Sequence, residues 1–189
     1  HIMPNLPVGT VGIKSGPLMA GVDHFIIDLS GKGTHGAVPE QGDDLLVCSA
    51  QIITAMQSIV SRNLSPPDQA VVSITRMTSG NTWNVMPDHS QLEGTVRTFT
   101  DAARSLIEKR MKTIVTQIAG AFSLTGTVRY LRQGPPVDNN PQLAAWAAEA
   151  APSAGLKVVD PAPTTIGEDF AYYQKQMASL FVFMGVSGS

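Results

Sequence analysis

Apolar residues along this chain repeat with two different periods. Over residues 25–29 they fall at every second position, Phe25, Ile27 and Leu29, with Ile26 and Asp28 between, which is the spacing of a strand with one buried face. Leu46, Ala50, Ile53, Met56 and Val60 then recur every three or four residues, which predicts a helix running to Arg62-Asn63. Asp43 or Asp44 stands where its N-cap belongs, and Pro66-Pro67 closes the element. Val71, Val72 and Ile74 predict a second strand over 70–77. Leu92, Gly94 and Val96 alternate with Glu93, Thr95 and Arg97, a third strand with one wet face. Thr100 is placed to cap a helix whose stripe is Ala103, Ile107, Met111, Ile114, Ile118 and Phe122, and residues 125–131 form a fourth strand.

The order strand, helix, strand, strand, helix, strand is that of the ferredoxin-like split βαβ arrangement. It is an α+β unit with one four-stranded antiparallel sheet and two helices on one face. Its open face or an edge strand needs a cover, which a dimer pairing edges or packing helices would supply. Residues 11–20 are Gly-rich and read mostly as loop. After Gly134-Pro135-Pro136 the composition changes. Asn140-Pro141 opens an Ala-rich helix carrying Leu143 and Trp146, which ends near Gly155. A short strand over 156–159, a Pro161-Ala162-Pro163 linker, a helix start at Gly167-Glu168-Asp169-Phe170 and a last strand over 180–184 complete the chain. This tail is too small for a core of its own and reads as part of a second domain. The chain opens without an initiator Met and ends on a strand that needs a neighbour, so the expectation is a piece of something longer.

Composition narrows the classes. The chain has 189 residues, 43% of them hydrophobic, with a net charge of −2, as an ordinary globular protein does. Its 13 Lys and Arg are scattered, which excludes a basic footprint for nucleic acid. No apolar run approaches the roughly 20 residues that cross a bilayer, so no membrane partner is expected. A single cysteine, Cys48, excludes an internal disulfide and suits a reducing compartment such as the cytoplasm.

Three stretches carry candidate chemistry. Gly31-Lys32-Gly33-Thr34-His35-Gly36-Ala37-Val38-Pro39 displays one imidazole on an unusual backbone path, although a Gly-rich turn with an incidental His is equally plain from the residues alone. Asn84-Val85-Met86-Pro87-Asp88 is followed by Arg97 in Leu92-Glu93-Gly94-Thr95-Val96-Arg97. The chain opens with His1-Ile2-Met3-Pro4-Asn5-Leu6-Pro7-Val8-Gly9-Thr10-Val11-Gly12.

In this combination, from His1 through Gly167-Glu168-Asp169-Phe170, the sequence resembles the M20 metallopeptidases, in particular the amidohydrolase branch of hippurate hydrolases, N-acyl-amino-acid amidohydrolases, N-acetyldiaminopimelate deacetylases and indoleacetyl-amino-acid hydrolases. The resemblance implies a catalytic domain with two divalent metal ions (Zn, Mn, Ni or Co) and an inserted ferredoxin-like domain that makes a homodimer. Residues 1–18 would be a flank of the α/β metallopeptidase catalytic domain, 19–132 the dimerisation domain, and 133–189 a further part of the catalytic domain. The expected substrate is a small N-acyl amino acid.

The resemblance assigns roles residue by residue. His1 matches the metal-binding His of a His-x-x-Pro segment. His35 matches a His that reaches into the partner subunit's active site and donates to the oxyanion. Asn84 matches an Asn that orients substrate and oxyanion. Arg97 matches an Arg that binds the substrate carboxylate, for which a guanidinium fork is suited. Glu168 and Asp169 match a Glu-Asp-Phe segment beside the substrate cleft, with helix N-terminal acids as the plainer reading. Trp83 is a candidate lining of the acyl pocket, and His24 and His89 are expected on the surface. The family's Cys-Gly-His-Asp segment, its Glu-Glu pair and its last metal-binding His are absent, and Cys48 reads as a packed thiol. The expectation is therefore a metal-dependent amidohydrolase whose dimerisation-domain portion is inactive alone and holds no metal. The alternatives are a non-catalytic dimerisation or scaffold module and, less in keeping with the sheet-face residues, a ferredoxin-like ligand- or RNA-binding module.

Overall fold

The computed structural model describes residues 1–188. In chain order it has β1 (Ile2–Pro7), β2 (Thr10–Gly12), β3 (Gly16–Met19), β4 (Gly21–Ser30), β5 (Thr34–His35), α1 (Leu45–Ser58), β6 (Ala70–Ser79), β7 (Val85–Met86), β8 (His89–Thr98), α2 (Asp101–Ala121), β9 (Thr125–Arg132), β10 (Val137–Asn139), α3 (Pro141–Ala150), β11 (Lys157–Val159), α4 (Ala171–Gln174) and β12 (Phe183–Ser187). The chain divides into two compact units, one of residues 23–97 and 101–133, the other of 1–22, 98–100 and 134–189.

In the first unit the sheet order is β6–β8–β4–β9, with α1 between β4 and β6 and α2 between β8 and β9. β4 and β9 are antiparallel, with Phe25 opposite Tyr130 and Ile27 opposite Val128. The period-two pattern is why the sheet has a dry face. On β4 the residues Phe25, Ile27 and Leu29 are fully buried, and on β8 Leu92 and Val96 join them. Against that face pack Leu45, Cys48, Ile52 and Met56 of α1 and Ile107, Met111 and Val115 of α2. Each large side chain so buried contributes about 1.5–3 kcal/mol.

Asp44 caps α1, its carboxylate accepting from the Val47 N–H at 3.0 Å. α1 continues as a wider turn to Asn63, so residues 45–63 form a helix long and apolar enough, by length and composition, to cross a membrane. The sequence reading missed this because Ser, Thr and Gln interrupt the apolar run. Here the helix turns its buried side to the sheet as a core element.

Gly94 faces the same core. A Cβ there would overlap the Ser73 carbonyl oxygen and the Phe25 ring, so the position has no room for a methyl group. Gly94→Ala is expected to destabilise the unit by about 1–3 kcal/mol through overpacking. An unchanged thermal melt would show that Phe25 and β6 give way freely.

One end of the sheet holds a buried ion pair. Arg104 donates from Nε to Asp23 Oδ2 at 2.7 Å and from Nη2 to Oδ1. Tyr130 Oη donates to Oδ2 at 2.8 Å and the Gln133 N–H to Oδ1 at 3.1 Å. Burial, and then the hydrogen bond to Asp23, push the Tyr130 phenol far above its ordinary value, so it stays a donor.

In the second unit a sheet of order β1–β12–β2–β11 joins a β10–β3 pair. Residues 11–20, expected as loop, contribute β2 and β3. β2 is held by partners remote in sequence, β11 parallel and β12 antiparallel to it. The last strand lies over Phe183–Ser187 rather than 180–184, and it pairs on both sides inside the chain. Asn140 caps α3 through the N–H groups of Gln142 and Leu143, and Gly155 ends the following turn at φ 75°. The helix expected from Gly167 is only the single turn Ala171–Gln174. Two small apolar clusters, one around Leu18, Val137 and Phe183 and one around Val11, Ile13 and Ala144, form its interior.

Candidate functional site

His35 stands on β5, a two-residue strand whose pairing with β7 sets His35 opposite Val85. The Gly36 N–H donates to the Asn84 carbonyl at 2.8 Å, so this small ribbon brings His35 and Asn84 side by side. Gly33 is required for the approach, because a Cβ there would sit 2.8 Å from the Met86 carbonyl oxygen. The loop is pinned at its other end by Asp43, whose Oδ2 accepts from the Lys32 N–H at 2.7 Å while its own N–H donates to Lys32 O at 2.8 Å.

The His35 ring has a defined polarity. The Ala37 N–H donates to Nδ1 at 3.0 Å, so Nδ1 is an acceptor and the neutral ring carries its proton on Nε2. An exposed Nε2–H donor results. Asn84 Oδ1 accepts from Thr82 Oγ1 at 3.4 Å, which leaves the amide NH2 to donate. Trp83 is 94% exposed. Beside the ribbon lies an open cavity of about 520 Å³, lined by Gly33, Ser79, Met86, Asp88 and His89 among others.

Arg97 is on the wet face of β8. It donates from Nη1 to Thr95 Oγ1, and to the Val96 carbonyl at 3.1 Å. It lies at the far end of that strand from β7, roughly 27 Å from His89 at 3.4 Å per residue. The structure therefore joins His35 to Asn84 and separates Arg97 from both.

His1 and Glu168 meet. Nδ1 of His1 is 3.3 Å from Glu168 Oε2, while Oε1 accepts from the Asp169 N–H at 3.0 Å. A hydrogen bond with Glu168, and its charge, push the Asp169 carboxyl above the usual carboxylate range. Among the described residues no group of three or more His, Cys, Asp or Glu could hold a metal ion. Cys48 is buried, and burial raises its thiol above the ordinary value. His24 and His89 each face a carboxylate, Glu93 at 3.4 Å and Asp28 at 3.5 Å. The Asp23–Arg104–Tyr130 network has no signature in the residues alone, because Arg104 and Tyr130 stand 81 and 107 positions from Asp23.

Comparison with known proteins places this geometry in a family. The whole chain, residues 1–189, matches the description of peptidase family M20/M25/M40, and the protein belongs to that family. An N-acetyl-L-cysteine deacetylase of Bacillus subtilis (strain 168) is 44% identical over 188 residues, covering 100% of this chain and 45% of the relative. An N-acetyldiaminopimelate deacetylase of Bacillus licheniformis is 37% identical over 187 residues, covering 98% of this chain and 50% of the relative. The crystal structure of the Bacillus subtilis YXEP protein, described as a dinuclear metal binding peptidase from the M20 family, superimposes with a TM-score of 0.85 at 38% identity. It covers 100% of this chain and 47% of that one. The chain thus spans about half the length of the curated relatives it matches.

Proposed function

We propose that this chain is part of a homodimeric, metal-dependent amidohydrolase that cleaves the amide bond of small N-acyl amino acids. The observation that carries this reading is the His35–Asn84 ribbon, which presents two neutral hydrogen-bond donors on an exposed edge, the equipment for stabilising an oxyanion. The deacetylase names of the relatives support the substrate class.

The unit built on β4, β6, β8 and β9, residues 23–97 and 101–133, is the ferredoxin-like dimerisation domain expected over 19–132, and its strand order supports that label. Residues 1–18 and 133–189 belong to the catalytic domain. His35 Nε2–H and Asn84 Nδ2–H donate to the carbonyl oxygen of the scissile amide as it gains charge. Arg97 grips the substrate carboxylate.

An N-acetyl amino acid is about two residues long and spans roughly 7 Å. The length of β8 is several times that, so His35 and Arg97 of one subunit cannot touch the same molecule. Each site would take His35 and Asn84 from one subunit and Arg97 from the other. His1 supplies one metal ligand through Nε2, its Nδ1 being turned to Glu168 in the substrate cleft. One imidazole does not make a dinuclear centre, and the portion described here is inactive by itself.

Mixing tests the two-subunit site. In full-length protein, His35→Ala and Arg97→Ala homodimers should each be impaired. Their hybrid would contain one site with both residues intact, so subunit exchange should restore activity toward half the wild-type value per hybrid. No restoration after exchange proven by mass spectrometry would mean that each site takes both residues from one subunit, and would overturn the two-subunit site.

A further inference from the structure

We propose that Thr95 is a positioning residue for substrate selection: its hydroxyl sets the Arg97 guanidinium so that its free edge presents a carboxylate fork. This rests on the reading of Arg97 given above and deepens it.

Thr95 and Arg97 stand two residues apart on β8 and share its wet face. Thr95 Oγ1 donates to the backbone carbonyl of Asp23 at 3.0 Å and accepts from Arg97 Nη1. A hydroxyl has one proton. With that proton committed to Asp23, the oxygen can only accept toward Arg97, which is the polarity a cation needs. The Val96 carbonyl, at 3.1 Å, is a second acceptor for the same Nη1. Two acceptors on one nitrogen leave Nε and Nη2, the edge that pairs with a carboxylate through two parallel bonds.

The anchor is firm. Asp23 is 1% exposed, and its side chain is held by Arg104, Tyr130 and the Gln133 N–H. A buried network therefore fixes the Asp23 carbonyl, the carbonyl fixes the Thr95 hydroxyl, and the hydroxyl fixes Arg97. Arginine otherwise loses considerable rotamer freedom when it binds, and a side chain held in advance avoids that loss. The role is preorganisation, so it should appear in substrate affinity rather than in the chemical step.

The test uses the full-length protein, an N-acetyl-L-amino acid and its C-terminal carboxamide analogue. Thr95→Val should raise KM for the acid about tenfold, leave kcat within about twofold, and leave KM for the carboxamide unchanged. Thr95→Ser, which keeps the hydroxyl, should restore the wild-type KM. Thr95→Ala removes the hydroxyl without the second branch and repeats the measurement if the valine variant melts early. Arg97→Ala is the control. If Arg97→Ala raises KM for the acid and Thr95→Val and Thr95→Ala do not, the positioning role is overturned and the reading of Arg97 stands. If Arg97→Ala leaves KM for the acid unchanged, the reading of Arg97 fails and the role of Thr95 with it. Equal losses for acid and carboxamide in the hydroxyl-free variants would show a purely structural residue and overturn the proposal.

Discussion

Replacing His35 by alanine in the full-length protein should lower kcat by about 10²–10³, the effect of removing one oxyanion donor, or about 2.7–4 kcal/mol of transition-state stabilisation. The ring is exposed, and it lies outside the apolar core of its unit, so the loss should not come from unfolding. Its one structural duty is to accept the Ala37 N–H at Nδ1, a local bond within an already pinned loop. Metal content and dimer mass should therefore stay at wild-type values. Loss of metal in the alanine variant would mean that Nε2 is a ligand rather than a donor, and the oxyanion role would be withdrawn. His35→Gln offers an amide N–H on a different stem and should recover only part of the rate.

The second large effect is on stability. Arg104→Leu leaves the Asp23 carboxylate buried without its cation. Removing one partner of a buried pair costs about 3–5 kcal/mol. Side-chain exposures of 6% for Arg104 and 1% for Asp23 put this pair in that class. Adding Asp23→Asn should recover a substantial part. With the amide oxygen in the Oδ1 position it still accepts from the Gln133 N–H, the amide NH2 donates to the Tyr130 hydroxyl oxygen, and no unpaired charge remains. Urea denaturation of the single and double variants reads this directly. A double variant no more stable than Arg104→Leu alone would show that packing of the guanidinium stem, rather than charge pairing, dominates.

Much of the first unit was legible because its signals are local and repeated. Phe25, Ile27 and Leu29 keep a period of two over half of a ten-residue strand, and Ile107, Met111 and Ile114 keep a helical period over about two turns. Asp44 and Asn140 cap helices where their side chains reach N–H groups two or three residues ahead. β2 and β3 were missed because strands of three and four residues have no period to show and exist through partners far along the chain. Asp169 and Glu168 looked like the first turn of a helix, yet the helix that follows has only four residues. Arg104 was not singled out, since its partner Asp23 is 81 positions away.

The candidate site divides the same way. His35, Asn84, Arg97, Glu168 and His1 were all singled out from their motifs, but the residues said nothing of how they stand to one another. By itself the sequence determined the element order of the sheet unit, the Asn140 cap and membership in the M20 family, because these depend on side chains a few positions apart or on runs of residues in order. Tertiary structure alone decided that Ala37 fixes the proton of His35, that β5 and β7 seat Asn84 beside it, and that a full strand length holds Arg97 away. A hydrogen bond depends on distance and angle, and the partners that β5 and β7 bring together are set by chain pairing that no local pattern encodes.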